Sequence, residues 1–176
     1  ARMGISHPWG VVAAEFDDAA LALSRLNAIR LVVRFQDGTM VDTDLADNIP
    51  PVCDLSAANG AEAVEVVAAL PLLSASGGNL DNGQDSERPR RWKAERVVQE
   101  LAGHESGELA ILRNALTLRL SSQENTAYLT CPVTRLVRNA QGKWGRDPAF
   151  IPPILSVSAS PWLTTELGDL LVRLQV

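Results

Sequence analysis

Histidine, cysteine and tyrosine are scarce in this chain: its 176 residues include two histidines, two cysteines and one tyrosine. Two cysteines, Cys53 and Cys131, are too few for the disulfide framework of a small secreted domain. No signal peptide precedes the first residues, so the expected compartment is the cytoplasm. No apolar run approaches the roughly 20 residues a bilayer demands, so no direct membrane insertion is expected. Positive charge is also in deficit. A net charge of −5 argues against a partner such as nucleic acid, whose phosphates need a clustered basic face.

The shortage of histidine narrows the chemistry further. His7 stands before Pro8 and His104 lies in the polar turn LAGHESGE, and neither has the spacing of a zinc set. A Cys131–His104 nucleophilic dyad stays open, because such partners meet in space and not in sequence. An unpaired cysteine on an alternating strand is more often a small buried hydrophobe. VDTDLAD brings Asp42, Asp44 and Asp47 together but lacks the glycine and closing glutamate of a calcium loop. GGNLDNG is one turn-rich copy of a pattern that binds calcium only in stacked repeats. No catalytic residue, metal ligand or cofactor site is expected.

What is present suits a folded domain. Apolar residues make up 46% and charged residues 21% of the chain, and a chain of about 150 residues buries roughly 70% of its unfolded surface. WGVVAAEFD reads as a strand and DAALALSRL as a helical turn. NAIRLVVRF–QDGT–MVDTD reads as a hairpin over 28–43, with Asp37-Gly38 at positive φ. In EAVEVVAALPLL, Val64, Val66 and Ala68 alternate with Glu65 and Val67 until Pro71 ends the ladder. Residues 74–89 form a long polar, glycine-rich loop. Leu116, Leu118 and Leu120 alternate with Thr117 and Arg119, and Ala127, Leu129, Cys131 and Val133 repeat the pattern. Asn139–Gly142 is a turn. The many short strands and the lack of a long helix before residue 160 predict an all-β, mainly antiparallel β-sandwich over 1–159.

The period then changes. Ser160-Pro161 is an N-cap followed by proline at the first helical position, which predicts a helix over 160–176. Leu163, Leu167, Leu170 and Leu174 recur at 4, 3 and 4, the spacing of a coiled-coil seam, with Leu171 widening the stripe. Such a helix either folds back on the sandwich or enters a bundle. Two surface features remain. ERPRRWK gathers Arg88, Arg90, Arg91 and Lys93 around Trp92, which reads as a charged edge strand or a site of partner contact. Trp9, Trp92, Trp144 and Trp162 are either core and interface anchors or the platform of a carbohydrate-binding module, the alternative function.

In the order HPWGVVAAEFDDAALALSRL, RFQDGTMVDTD, LTCPVTRLVRNAQGKWGRDP and RDPAFIPPILSVSASPWL, the chain resembles the amino-terminal region of the TssK family, also called VasE or ImpJ. These are baseplate proteins of the bacterial type VI secretion system. The resemblance implies a structural adaptor and not an enzyme. It implies a β-sandwich shoulder similar to phage receptor-binding proteins, a helical neck and a carboxy-terminal head, assembled as a trimer. The shoulder engages the TssF and TssG wedge; TssL and TssM of the inner-membrane complex are reached only through the head, which this sequence lacks. The sequence also lacks the family's PQHFQ-like segment and stops where the neck begins. In this light the seam Leu163, Leu167, Leu170 and Leu174 is the start of a trimer neck. Arg88, Arg90, Arg91, Trp92, Lys93 and the loop 74–89 are candidate partner contacts. Pro148, Pro152, Pro153 and Pro161, with fixed φ and no amide donor, form a stiff elbow that aims the neck.

Overall fold

The structure, a computed structural model, describes residues 8–58, 60–81, 88–101 and 105–174. Among these, three sheets and one terminal helix follow in chain order. The first sheet begins with Gly10–Asp17 (β1), antiparallel to Arg25–Arg34 (β2). Met40–Asp42 (β3) and Cys53–Asp54 (β4) both pair with β2. Between β1 and β2 the expected helical turn is a 3-10 turn, Asp18–Leu23. Asp17 Oδ1 caps it by accepting the Ala19 N–H at 2.9 Å.

The hairpin carries a correction. Gly38 has φ 84°, but Asp37 does not reach positive φ. The connection is longer than a two-residue turn: Phe35 N–H donates to the Thr39 carbonyl, and Gly38 N–H donates to the Phe35 carbonyl, each at 2.9 Å. Asp37 instead folds its carboxylate onto the Thr39 N–H, an Asx-type bond that needs no left-handed backbone.

The second sheet contains Ala63–Pro71 (β5), and the third begins with Leu80–Asp81 (β6). Trp92–Leu101 (β7) and Glu105–Asn114 (β8) complete the third. Thr117–Leu120 (β9), Tyr128–Arg138 (β10) and Trp144–Arg146 (β11) return to the second, in the order β11-β10-β5-β9. Here β5 departs from alternation, since Val66 through Pro71 are all buried. A strand between two neighbours and covered on both faces buries consecutive residues, so Val67 is buried on the face opposite Val66 and Ala68. Leu116, Leu118 and Leu120 do point into the core.

The first and second sheets share one apolar cluster that includes Leu26, Leu31, Val33 and Phe35 from β2 and its end, and Val66, Leu70, Leu120 and Leu136 from the other sheet. Each such side chain contributes about 1.5–3 kcal/mol on burial. This is the sandwich. The third sheet is an addition to it: β7 and β8 pair over their whole length as a two-stranded ribbon, and β6 adds two residues in parallel within the region expected to be loop.

Candidate docking surface at the elbow

After β11 the chain turns at Asp147, whose Oδ1 accepts the Ala149 N–H at 3.0 Å. Pro148 is exposed, Pro152 buried and Pro153 half-buried. The segment then lies along the open edge of β1. Val11 N–H donates to the Pro153 carbonyl at 2.7 Å, and Leu155 N–H donates to the Val11 carbonyl at 2.8 Å, around a parallel bridge between Val11 and Ile154. Gly10 permits this approach. Its φ is +144°, and a Cβ there would stand 2.7 Å from the Pro153 oxygen. Nothing in the sequence signalled that the elbow is stitched to the first strand.

A short 3-10 turn, Val157–Ala159, leads to the helix Pro161–Leu174 (α1). Ser160 caps it, with its Oγ accepting the Leu163 N–H at 3.3 Å and its carbonyl accepting the Thr164 N–H at 3.1 Å. Pro161 gives up no hydrogen bond at this position. No residue of α1 is buried, so the fold-back arrangement is not adopted. Leu163 is half-buried, while Leu167, Leu170, Leu171 and Leu174 are 43–73% exposed.

Between the elbow, β1, β10 and the first turns of α1 lies a groove of about 470 Å³. Phe16, Val133, Phe150 and Pro152 form its apolar part, and Trp162 and Glu166 stand on its helical side. Arg146, in the lining, grips Asp18 through Nε and a terminal nitrogen, at 2.6 and 2.8 Å. Thr134, only 6% exposed, presents a hydroxyl that bonds to no described residue. Sequence reasoning found the prolines but not the groove, because its residues are scattered from position 14 to position 166 and carry no spacing signal.

The basic cluster is not the uniform surface that was expected. Arg91 is 1% exposed. One of its terminal nitrogens donates to the Pro71 carbonyl at 2.9 Å, and the other bonds Asp37 Oδ2 at 2.8 Å and Thr39 Oγ1 at 2.7 Å. Arg91 is therefore corrected from a candidate partner contact to an internal tie between the ribbon, the first hairpin and the end of β5. Burial alone would raise the Asp37 carboxyl, but the Thr39 N–H and hydroxyl and the Arg91 charge outweigh it and hold its pKa below the usual value. Arg88 bonds the Leu72 carbonyl and Asn79, and Arg90 bonds the Gly78 carbonyl, so both brace the part of the 74–89 loop that is described. Trp92 is half-buried and Lys93 exposed. Residues 82–87 of that loop lie outside the described residues.

The other candidates separate in space. Cys53 and Cys131 are buried free thiols, and burial pushes their pKa values up to about 11 and about 12. His7 and His104 lie outside the described residues. Asp47 caps the Asp42 and Asn114 amides and Asp42 caps that of Asp44, while Asp44 binds Arg30 at 2.5 Å. Trp144 is buried beneath Arg138, so the four tryptophans do not form one exposed platform. No described helix is long and apolar enough to cross a membrane.

Residues 1–176 match the family model T6SS_VasE, described as "Bacterial Type VI secretion, VC_A0110, EvfL, ImpJ, VasE". Among solved structures, the chain is 69% identical to a chain of a TssK-TssF-TssG baseplate subcomplex of the type VI secretion system seen by cryo-electron microscopy, with a TM-score of 0.91. That match covers 99% of this chain and 58% of the other. It is 64% identical, with a TM-score of 0.84, to a structure of TssK from EAEC in complex with nanobody nb18, covering 99% and 56%. A chain of a type VI baseplate complex matches at 68% identity and a TM-score of 0.89, covering 99% and 39%. The chain thus spans little more than half the length of these relatives at most. No curated protein matches it.

Proposed function

The chain belongs to the VasE/ImpJ family of bacterial type VI secretion, and from that premise we propose that it is the shoulder domain of a baseplate adaptor, docking onto the TssF and TssG wedge. One observation carries the reading: the chain aligns over 99% of its length, at 69% identity, with a chain of a subcomplex that contains TssK, TssF and TssG. In this reading residues 1–159 are the shoulder and 160–176 begin the neck. The exposed leucine seam of α1 enters a trimer bundle, which supplies the apolar partner that a helix of this length lacks alone. Through its head, the intact protein joins the baseplate to TssL and TssM on the cytoplasmic side of the inner membrane.

The adaptor works by surface complementarity and not by turnover. Its buried thiols are held in the unreactive protonated form, which speaks against a cysteine hydrolase. The buried Trp144 speaks against a sugar platform. Trp92 and Lys93 remain partner-contact candidates, and Arg88 and Arg90 contribute by shaping the loop beside them. The elbow prolines aim the neck, with Pro153 fixed by its bond from Val11. Co-expression of the intact protein with TssF and TssG tests the reading. The three are expected to co-purify through size exclusion, and separate elution of the wedge proteins would refute it.

A further inference from the structure

We infer that the exit from the sandwich is a hydrogen-bond clamp with two jaws, Val11 and Thr164, and that this clamp, more than the stiffness of the prolines, sets the direction of α1. The inference concerns how the helix is held. It stands whether or not α1 enters a trimer or the shoulder meets the wedge. Proline fixes φ only at its own position and restricts the residue before it, so the prolines alone leave residues 154–159 free to turn. Hydrogen bonds at both ends of that stretch remove the freedom.

The first jaw is built into the edge of β1. Val11, fully buried, directs both its backbone groups to the elbow, giving its N–H to the Pro153 carbonyl and taking the Leu155 N–H on its own carbonyl. Two irregularities flank it: Gly10 sits at φ +144°, and the β1–β2 register shifts between Val11 and Ala13. A bulge re-aims an edge strand, and a backbone angle reserved for glycine persists only where the surroundings impose it. Both fall where the elbow docks, so this edge is shaped to hold it. The second jaw closes on the helix. Thr164 Oγ1 shares its one proton between the Val157 carbonyl, at 3.3 Å, and the Ser160 carbonyl, at 3.1 Å. The bond to Val157 ties α1 to the 3-10 turn before it, and that turn lies against β1. Ser160, at the joint, is 1% exposed with φ −120° and ψ 106°, the extended geometry favoured before proline. No glycine interrupts residues 146–167. Sandwich, turn and helix are thus joined in series.

The test reads the helix direction by double electron-electron resonance in the 176-residue chain. Nitroxides at Lys143→Cys and Asp169→Cys span sandwich and helix, a control pair at Arg25→Cys and Lys143→Cys lies within the sandwich, and the buried Cys53 and Cys131 stay unlabelled. Dilution with unlabelled chain removes distances between copies. The parent is expected to give one peak as narrow as the control. Leu155→Pro removes a bond of the first jaw while adding a fixed φ, so it sets the clamp against proline stiffness; Thr164→Val removes the hydroxyl of the second jaw at an exposed helix position. Each variant is expected to raise the population outside the parent's peak by about two- to tenfold, the weight of one net hydrogen bond. A parent distribution broader than the control, or either variant indistinguishable from the parent, would overturn the inference. Should Leu155→Pro fail to fold, Thr164→Val decides alone.

Discussion

Replacing Arg91 by alanine removes the tie that joins the ribbon to the sandwich. The guanidinium is 1% exposed and makes hydrogen bonds to the Pro71 carbonyl, Asp37 and Thr39. Removing one partner of a buried ion pair costs about 3–5 kcal/mol. The lower end applies, because the Asp37 side chain is 31% exposed and regains water when Arg91 leaves. The Pro71 carbonyl has no such escape. A loss of about 3 kcal/mol corresponds to a fall in Tm of about 6–12 °C for a chain of this size, readable by differential scanning calorimetry. The pH dependence adds a second arm. The Asp37 carboxyl is depressed in the folded state, so its stabilisation is complete above the unfolded pKa of about 3.9 and is lost as pH falls through the folded value. The gap between parent and Arg91→Ala should therefore narrow as the pH falls below the unfolded pKa of about 3.9. A fall in Tm under about 2 °C, or a gap that stays constant below that pH, would refute the tie.

Other consequences are equally direct. Gly10→Ala places a Cβ 2.7 Å from the Pro153 oxygen at φ +144°; a cost of about 1–3 kcal/mol is expected, with faster hydrogen exchange at the Val11 and Leu155 amides. Leu120→Ala, at a fully buried position, should cost about 2–5 kcal/mol in denaturant unfolding, whereas Leu174→Ala, at 73% exposure, should stay within about 0.5 kcal/mol in the monomeric chain. At pH 8 the native thiols of Cys53 and Cys131 should react with iodoacetamide at least about 100-fold more slowly than a free cysteine, and at the free rate once the chain is unfolded. In the intact protein, Leu167→Asp with Leu170→Asp should dissociate the proposed trimer in sedimentation velocity; a variant assembly as tight as the parent's would remove the seam from the account.

Local patterns carried much of the fold. Alternation at Leu116, Leu118 and Leu120 marked one buried face, and Ser160-Pro161 marked the helix start within a residue. Features set by tertiary context were hidden. Arg91 sits in a run of cations whose neighbours are solvent-facing or half-buried, and only the approach of Asp37, Thr39 and the end of β5 makes it interior. Val67 looked like an outward residue because alternation assumes one dry face, and β5 has two. The elbow prolines were legible as stiff punctuation, yet their partner is Val11, 142 positions earlier than Pro153, and no local rule reaches that far. The groove is hidden for the same reason.

Isothermal titration of the 176-residue chain into purified TssF–TssG tests the central claim most directly. The account predicts saturable binding with a negative heat-capacity change, from burial of apolar surface at the shoulder. No measurable binding by this chain, under conditions where the intact protein binds the same wedge, would contradict it and place the docking surface elsewhere in the protein.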